Sequence, residues 1–162
     1  SDVAVIPLPD FKQKMVQIGY LARTANLLGI TTPKIACIAP SEQLLPNVIS
    51  STEGALLAKM ADRGQLGNVV VDGPLSLDVA LYKEVAEHKK VKGSSVAGDP
   101  DCLLFPNLES ANVFFKSVTH LCGGELAAMV AGTKVPCVLT SRGDTSKTKL
   151  YSIALACLAV KQ

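Results

Sequence analysis

The chain has 162 residues, 48% hydrophobic and 19% charged, with a formal net charge of +2. That is enough apolar material for the core of one globular α/β-sized domain, and it excludes a disordered polypeptide. The charges are too evenly balanced for nonspecific nucleic-acid binding, arginine is confined to Arg23, Arg63 and Arg142, and the lack of Trp removes a stacking platform for single strands.

Val3 to Ile6 reads as a short strand closed by Pro7 and Pro9. Asp10 caps a helix from about Phe11 to Leu28, with Phe11, Met15, Ile18, Ala22 and Ala25 on one apolar face and Gly29 closing it. Lys34 to Ala39 is a buried-strand run, and Pro40 and Pro46 frame a polar loop with Ser41, Glu42 and Gln43. Ser51 or Thr52 opens a second helix that carries Leu56, Leu57, Met60 and Ala61 and stops at Gly64. Asn68 to Val71 is the next strand, ended by Asp72-Gly73-Pro74, after which Ser76 caps a helix from Leu77 to about His88. Open α/β sheets bind ligands at strand ends, so Asp72 and Asp78 are candidates to line a cleft; a turn residue and a first-turn helix acid are equally good readings.

Lys89, Lys90 and Lys92 read as a solvated helix end. Beyond the loop from Ser94 to Pro100, Cys102 to Phe105 is strand-like, and Pro106-Asn107 leads into a helix from about Glu109 to His120 that contains Asn112. Gly123-Gly124 breaks the chain, Ala127 to Ala131 and Val135 to Leu139 read as two more strands, and a final helix runs from about Thr145 to Val160. Strands and helices alternate nearly throughout, which implies an α/β fold with a mixed, largely parallel sheet flanked by helices.

The five cysteines, Cys37, Cys102, Cys122, Cys137 and Cys157, are widely spaced, odd in number and mostly set in apolar runs, which suits reduced, buried thiols in a cytoplasmic protein. No CxxC pair or His cluster points to a metal, and His88 and His120, near helix C-termini, are assigned no catalytic role. No signal peptide or membrane-length apolar run is evident, and neither a GxGxxG nor a GxxxxGK[ST] loop occurs.

The stretch from Leu139 to Ala156 runs from an apolar strand through a polar turn into an Ala/Leu-rich helix. The first helical N–H groups lack internal partners and, with the helix dipole, favour an anion there; Arg142 adds a planar charged fork and Ser141 a hydroxyl. Asp144, Thr145 and Ser146 are each also able to cap that helix without binding anything.

Several blocks in order carry a resemblance: Lys59-Met60-Ala61-Asp62-Arg63-Gly64, Val71-Asp72-Gly73-Pro74-Leu75-Ser76-Leu77-Asp78, Val96-Ala97-Gly98-Asp99-Pro100-Asp101, Phe105-Pro106-Asn107-Leu108-Glu109-Ser110-Ala111-Asn112-Val113, and Leu139-Thr140-Ser141-Arg142 with Leu150-Tyr151-Ser152-Ile153-Ala154. The chain resembles the phosphate acetyltransferase and phosphate butyryltransferase family, the butyryl branch more closely. The resemblance implies the second domain of an isocitrate/isopropylmalate dehydrogenase-like fold over residues 1–134, a returning strand and helix over 135–162, and an absent front portion. It also implies acyl transfer between coenzyme A and inorganic phosphate, with acyl-CoA, acyl phosphate and phosphate as small-molecule partners and no covalently bound cofactor; the residue patterns themselves point to no metal, no nucleic acid and no membrane, and the high apolar fraction predicts self-association as a homodimer. Ser141 would steady the thiolate or carbonyl oxygen and Arg142 would hold phosphate. The acetyl branch has an Asp seven residues after that Ser, where this chain has Thr148, so Asp144 is the substitute candidate for the base. Asp72, Gly73, Pro74, Asn107, Asn112 and Thr140 are the implied substrate contacts. A noncatalytic dimerisation or scaffold domain, an anion-binding module and a decarboxylating dehydrogenase relative are the competing readings.

Overall fold

Three aliphatic runs pair as a parallel sheet and set the frame of the first part of the chain. The computed structural model describes residues 1–160, so Lys161 and Gln162, the end of the expected returning segment, lie outside the described residues. The chain divides into two units, Ser1–Asn112 and Val113–Gln162; the expected division after residue 134 falls inside the second. In order along the chain come α1 (Phe11–Leu27), β1 (Lys34–Ile38), α2 (Ile49–Asp62), β2 (Val70–Leu75), α3 (Leu77–Leu81), α4 (Lys83–His88), β3 (Cys102–Leu104), α5 (Leu108–His120) and α6 (Ser146–Val160).

In the first unit the sheet has the order β2-β1-β3. The central strand β1 runs parallel to both neighbours, with Ile35 opposite Val71 on one side and Cys102 on the other. A central strand covered on both faces must be apolar throughout, and Ile35, Ala36, Cys37 and Ile38 are all buried. Ile18 from α1 and Leu57 from α2 pack with Ile35, Cys37, Val69, Val71 and Leu104. Each such aliphatic side chain removed from water contributes about 1.5–3 kcal/mol.

Helix α1 starts and stops where its sequence says. Asp10 accepts the Gln13 N–H at 2.8 Å while the Gln13 side chain accepts the Asp10 N–H, a reciprocal capping box. At the other end Gly29 takes φ +90 and the Ile30 N–H reaches back to the Ala25 carbonyl at 3.0 Å.

Elsewhere the structure corrects the pattern. Val3 to Ile6 is not a strand: the Asp2 carboxylate accepts the N–H groups of Ala4, Val5 and Ile6 at 2.8–3.0 Å and curls the segment. Helix α2 opens at Ile49, before either expected cap, because the Ser51 hydroxyl is buried and pins the preceding loop, accepting from the Leu45 N–H (2.8 Å) and donating to the Gln43 carbonyl (3.0 Å). Strand β2 does not stop at Val71 but continues through Asp72-Gly73-Pro74 to Leu75 after a register shift, and the Ala39 N–H donates to the Leu75 carbonyl. Ser76 stands at the N-cap position of α3 without capping its backbone; its hydroxyl is shared between the carboxylates of Glu42, at 3.2 Å, and Asp78. The helix expected from Leu77 to His88 is broken at Tyr82, since the Ala80 carbonyl accepts the Gly98 N–H at 2.9 Å from a distant loop.

In the second unit, the strands expected at Ala127 to Ala131 and Val135 to Leu139 reduce to a single antiparallel bridge between Val130 and Cys137. An isolated two-stranded ribbon has no sheet to bury one face, and Val135 and Leu139 are exposed. Helix α6 forms as expected and tucks Ser152 and Ala156 inward.

Candidate active site

The turn ahead of α6 is closed by one residue. The Asp144 carboxylate accepts the Ser141 N–H at 2.7 Å, and the Asp144 N–H donates to the Ser141 carbonyl at 3.1 Å. Arg142 and Gly143 therefore form the exposed apex of a four-residue turn. The cap of α6 is Thr145, whose hydroxyl oxygen accepts the Thr148 N–H at 3.1 Å. That leaves Asp144 to the turn, and the Arg142 guanidinium makes no ion pair or hydrogen bond among the described residues. Thr140 is half-buried just before the turn.

Beside this turn lies a cleft of about 390 Å³ within the second unit, lined by His120, Glu125, Asp144, Lys147, Thr148 and Tyr151 among others. Lys147 sits in the first turn of α6, where a cation works against the helix dipole, and Glu125 across the cleft offsets it by an ion pair. The Lys147 hydrogen bond holds the Glu125 carboxyl below its ordinary range, and Glu125 in turn raises Lys147. The Lys147 ammonium also lies 5.6 Å from the centre of the Tyr151 ring. A helix N-terminus, an unengaged arginine and a serine hydroxyl gathered at one exposed turn suit a phosphorylated or otherwise anionic substrate.

The remaining sequence candidates lie in the first unit and hold contacts of their own. Asp72 accepts the Gly73 N–H at 2.8 Å. Gly73 crosses β1 so closely that a Cβ there would fall 2.6 Å from that of Cys37, and Pro74 follows it in β2. Asn107 accepts the Ser110 N–H at 2.9 Å at the start of α5, and the Asn112 amide donates to the Val3 carbonyl at 2.9 Å. Thus Thr140 leads into the turn that brings Ser141, Arg142 and Asp144 together, Asp72, Gly73 and Pro74 share one strand, and Asn107 precedes the helix that contains Asn112.

Sequence reasoning missed two features. Glu125 and Lys147 were unmarked, although a lysine in a helix's first turn is a local conflict that signals a distant partner. Lys14 was also unmarked: it is buried on α1 with its ammonium 2.5 Å from Glu53 of α2. That pair lines a cavity of about 10 Å³ with Cys37, Ile38, Leu104 and Phe105, at the carboxyl ends of β1 and β3, where an order β2-β1-β3 reverses its winding. The cavity has room for about one water and for no substrate. Burial pushes the Cys37 thiol up to about 12, with the Asp72 charge adding to it. Among the described residues no group of three or more His, Cys, Asp or Glu gathers as metal ligands, and no helix is long and apolar enough to cross a membrane.

Residues 1–157 match the family model described as phosphate acetyl/butaryl transferase. The chain belongs to this family. It is 44% identical to a phosphate butyryltransferase of Clostridium acetobutylicum over 98% of this chain and 52% of that protein. Against a phosphate acetyltransferase of Thermotoga maritima the identity is 40%, over 96% of this chain and 53% of that protein. A crystal structure of a branched-chain phosphotransacylase from Enterococcus faecalis superposes with a TM-score of 0.89 at 31% identity, covering 98% of this chain and 56% of that one. The chain thus spans about half the length of the family members it matches.

Proposed function

We propose that this protein takes part in phosphate acyl transfer: coenzyme A thiolate attacks the carbonyl of an acyl phosphate, the carbon–sulfur bond forms, and the carbon–oxygen bond to phosphate breaks, giving acyl-CoA and inorganic phosphate. The observation that carries this reading is the Ser141-Arg142 turn at the start of α6, its guanidinium unengaged among the described residues and its Gly143 and Asp144 on the wall of a cleft. Arg142 would hold the departing phosphate bidentately and Ser141 would steady the thiolate or the carbonyl oxygen, which is where charge develops. In this reading residues 1–134 correspond to the second domain of a dehydrogenase-like fold and 135–162 to the returning segment. Thr140 would touch substrate beside Ser141 and Arg142, Asp72, Gly73, Pro74, Asn107 and Asn112 would be substrate contacts of the first unit, and the five free cysteines fit a cytoplasmic protein.

The chain alone carries half a site. Acyl phosphate and coenzyme A bring several negative charges together, and enclosing them takes more than one arginine. Helix α6 supports the same view: Leu150, Ile153, Leu158 and Val160 are exposed along a helix that is apolar nearly all round. Such a surface suits a neighbour, either the rest of the family fold or a second copy in a homodimer.

The test combines a thiol-release assay with ligand-induced stabilisation of the 162-residue chain. Coenzyme A or acetyl phosphate raises its melting temperature, whereas turnover with acetyl-, butyryl- and branched acyl-CoA plus phosphate stays far below the ordinary enzyme range of roughly 1–1000 per second. Turnover within that range refutes the half-site argument. Stabilisation by neither ligand overturns the acyl-transfer reading in favour of a scaffold, and stabilisation only by a divalent metal with a hydroxy acid favours the dehydrogenase relative.

A further inference from the structure

Asp144 is the carboxylate that the sequence offers as a base, yet its geometry ties it to the backbone. Its Oδ2 accepts the Ser141 N–H in a short hydrogen bond of 2.7 Å, while its own N–H donates to the Ser141 carbonyl at 3.1 Å. Both main-chain groups of Ser141 are thus held by the residue three positions on. Nor does Asp144 pair with Arg142, the nearest cation in sequence: the guanidinium has no ion pair among the described residues. Within an anion site a carboxylate is an electrostatic liability, since it repels the phosphate that Arg142 would bind. A carboxylate kept there and spent on an amide rather than on the arginine acts through geometry.

We infer that Asp144 is a positioning residue, which locks the turn so that Ser141 and Arg142 project together and leaves the guanidinium for the ligand. The inference rests on the acyl-transfer reading for what the turn binds, but the lock itself is a property of this chain. An arginine fork recognises phosphate only from a fixed root, and small displacements of a positioning group cost large factors in rate or affinity. The role needs an acceptor at the Oδ2 position and does not need a charge. A base role needs the charge. Asparagine keeps the acceptor and removes the charge, while alanine removes both, so the two variants separate the roles.

The experiment uses the ¹⁵N-labelled 162-residue protein as wild type, Asp144→Asn and Asp144→Ala. Two quantities are read: hydrogen exchange of the Ser141 amide, and affinity for inorganic phosphate from shifts of the Arg142 resonances. Asp144→Ala speeds Ser141 exchange and weakens phosphate binding, each by about tenfold, whereas Asp144→Asn stays within about twofold for exchange and binds phosphate as tightly or more tightly. Where the protein turns over, Asp144→Asn keeps the wild-type pH profile of thiol release. Unchanged exchange in Asp144→Ala, or an Asp144→Asn variant that matches Asp144→Ala, overturns the inference. Failure of the wild type to bind phosphate sinks the ligand assignment instead, and the Ser141 exchange rates then decide the lock alone.

Discussion

Cutting the Lys14–Glu53 pair from either side gives unequal losses of stability. The Lys14 side chain is 6% exposed and that of Glu53 20%, and between them the cavity holds about one water. A charge stranded there keeps little of its hydration, and removing one member of such a pair typically costs about 3–5 kcal/mol. The stranded group has one escape, which is to give up its charge. At pH 7, neutralising an ordinary lysine costs about 4.6 kcal/mol and an ordinary glutamate about 3.7 kcal/mol, from their reference pKa values at 1.36 kcal/mol per unit. These values are ceilings. Glu53→Leu, which strands the more deeply buried lysine, therefore costs up to about 4.6 kcal/mol, and Lys14→Met up to about 3.7 kcal/mol, less what the more exposed glutamate recovers from water. The double variant Lys14→Met/Glu53→Leu fills the space with apolar atoms and returns close to the wild-type stability. Urea denaturation of the three variants and the wild type at pH 7 measures all of this. Single-variant losses below about 1 kcal/mol would refute the reasoning, because they mean that water reaches the pair.

Gly98 takes φ +80 with the site of a Cβ 2.5 Å from the Lys83 Cα, so Gly98→Ala costs about 2–4 kcal/mol from left-handed strain plus overlap; a midpoint shift worth less than about 0.5 kcal/mol contradicts the geometry. The Asp78 carboxyl is lowered to about 2, first by the Ser76 hydroxyl and then by Lys89, so its contribution to stability is complete above the ordinary 3.8 and is lost as pH falls toward 2. An NMR titration of Asp78 gives a midpoint near 2 that rises in Ser76→Ala, and an unmoved midpoint removes Ser76 as the cause. Alkylation at pH 8 labels the exposed Cys122, Cys137 and Cys157 first and Cys37 only on unfolding; labelling of Cys37 as fast as Cys122 disproves its burial.

What the sequence determined by itself is what lies within a few residues. The Asp10–Gln13 box, the stop at Gly29, the apolar face of α1 and the buried run of β1 are local statements, and they are legible because a helix or strand repeats every few positions. The same holds for the turn before α6, where Ser141 and Arg142 stand next to one another and ahead of a clear helical pattern. The order of the motif blocks made the family recognisable as well, since order is a property of sequence.

Tertiary structure decided whatever depends on a partner far along the chain. The strand pattern at Ala127 to Ala131 and Val135 to Leu139 has the right composition but only a single bridge, and pattern alone cannot report a missing neighbour. Ser51 and Ser76 look like helix caps until their hydroxyls are claimed by Gln43 and Glu42. Lys14 meets Glu53 across 39 positions and Lys147 meets Glu125 across 22, so neither charge is assigned a partner until the backbone folds. Burial follows from the same cause: Lys14 is driven inside with α1 because Met15 and Ile18 pack there, and only the carboxylate arriving on α2 makes that burial tolerable.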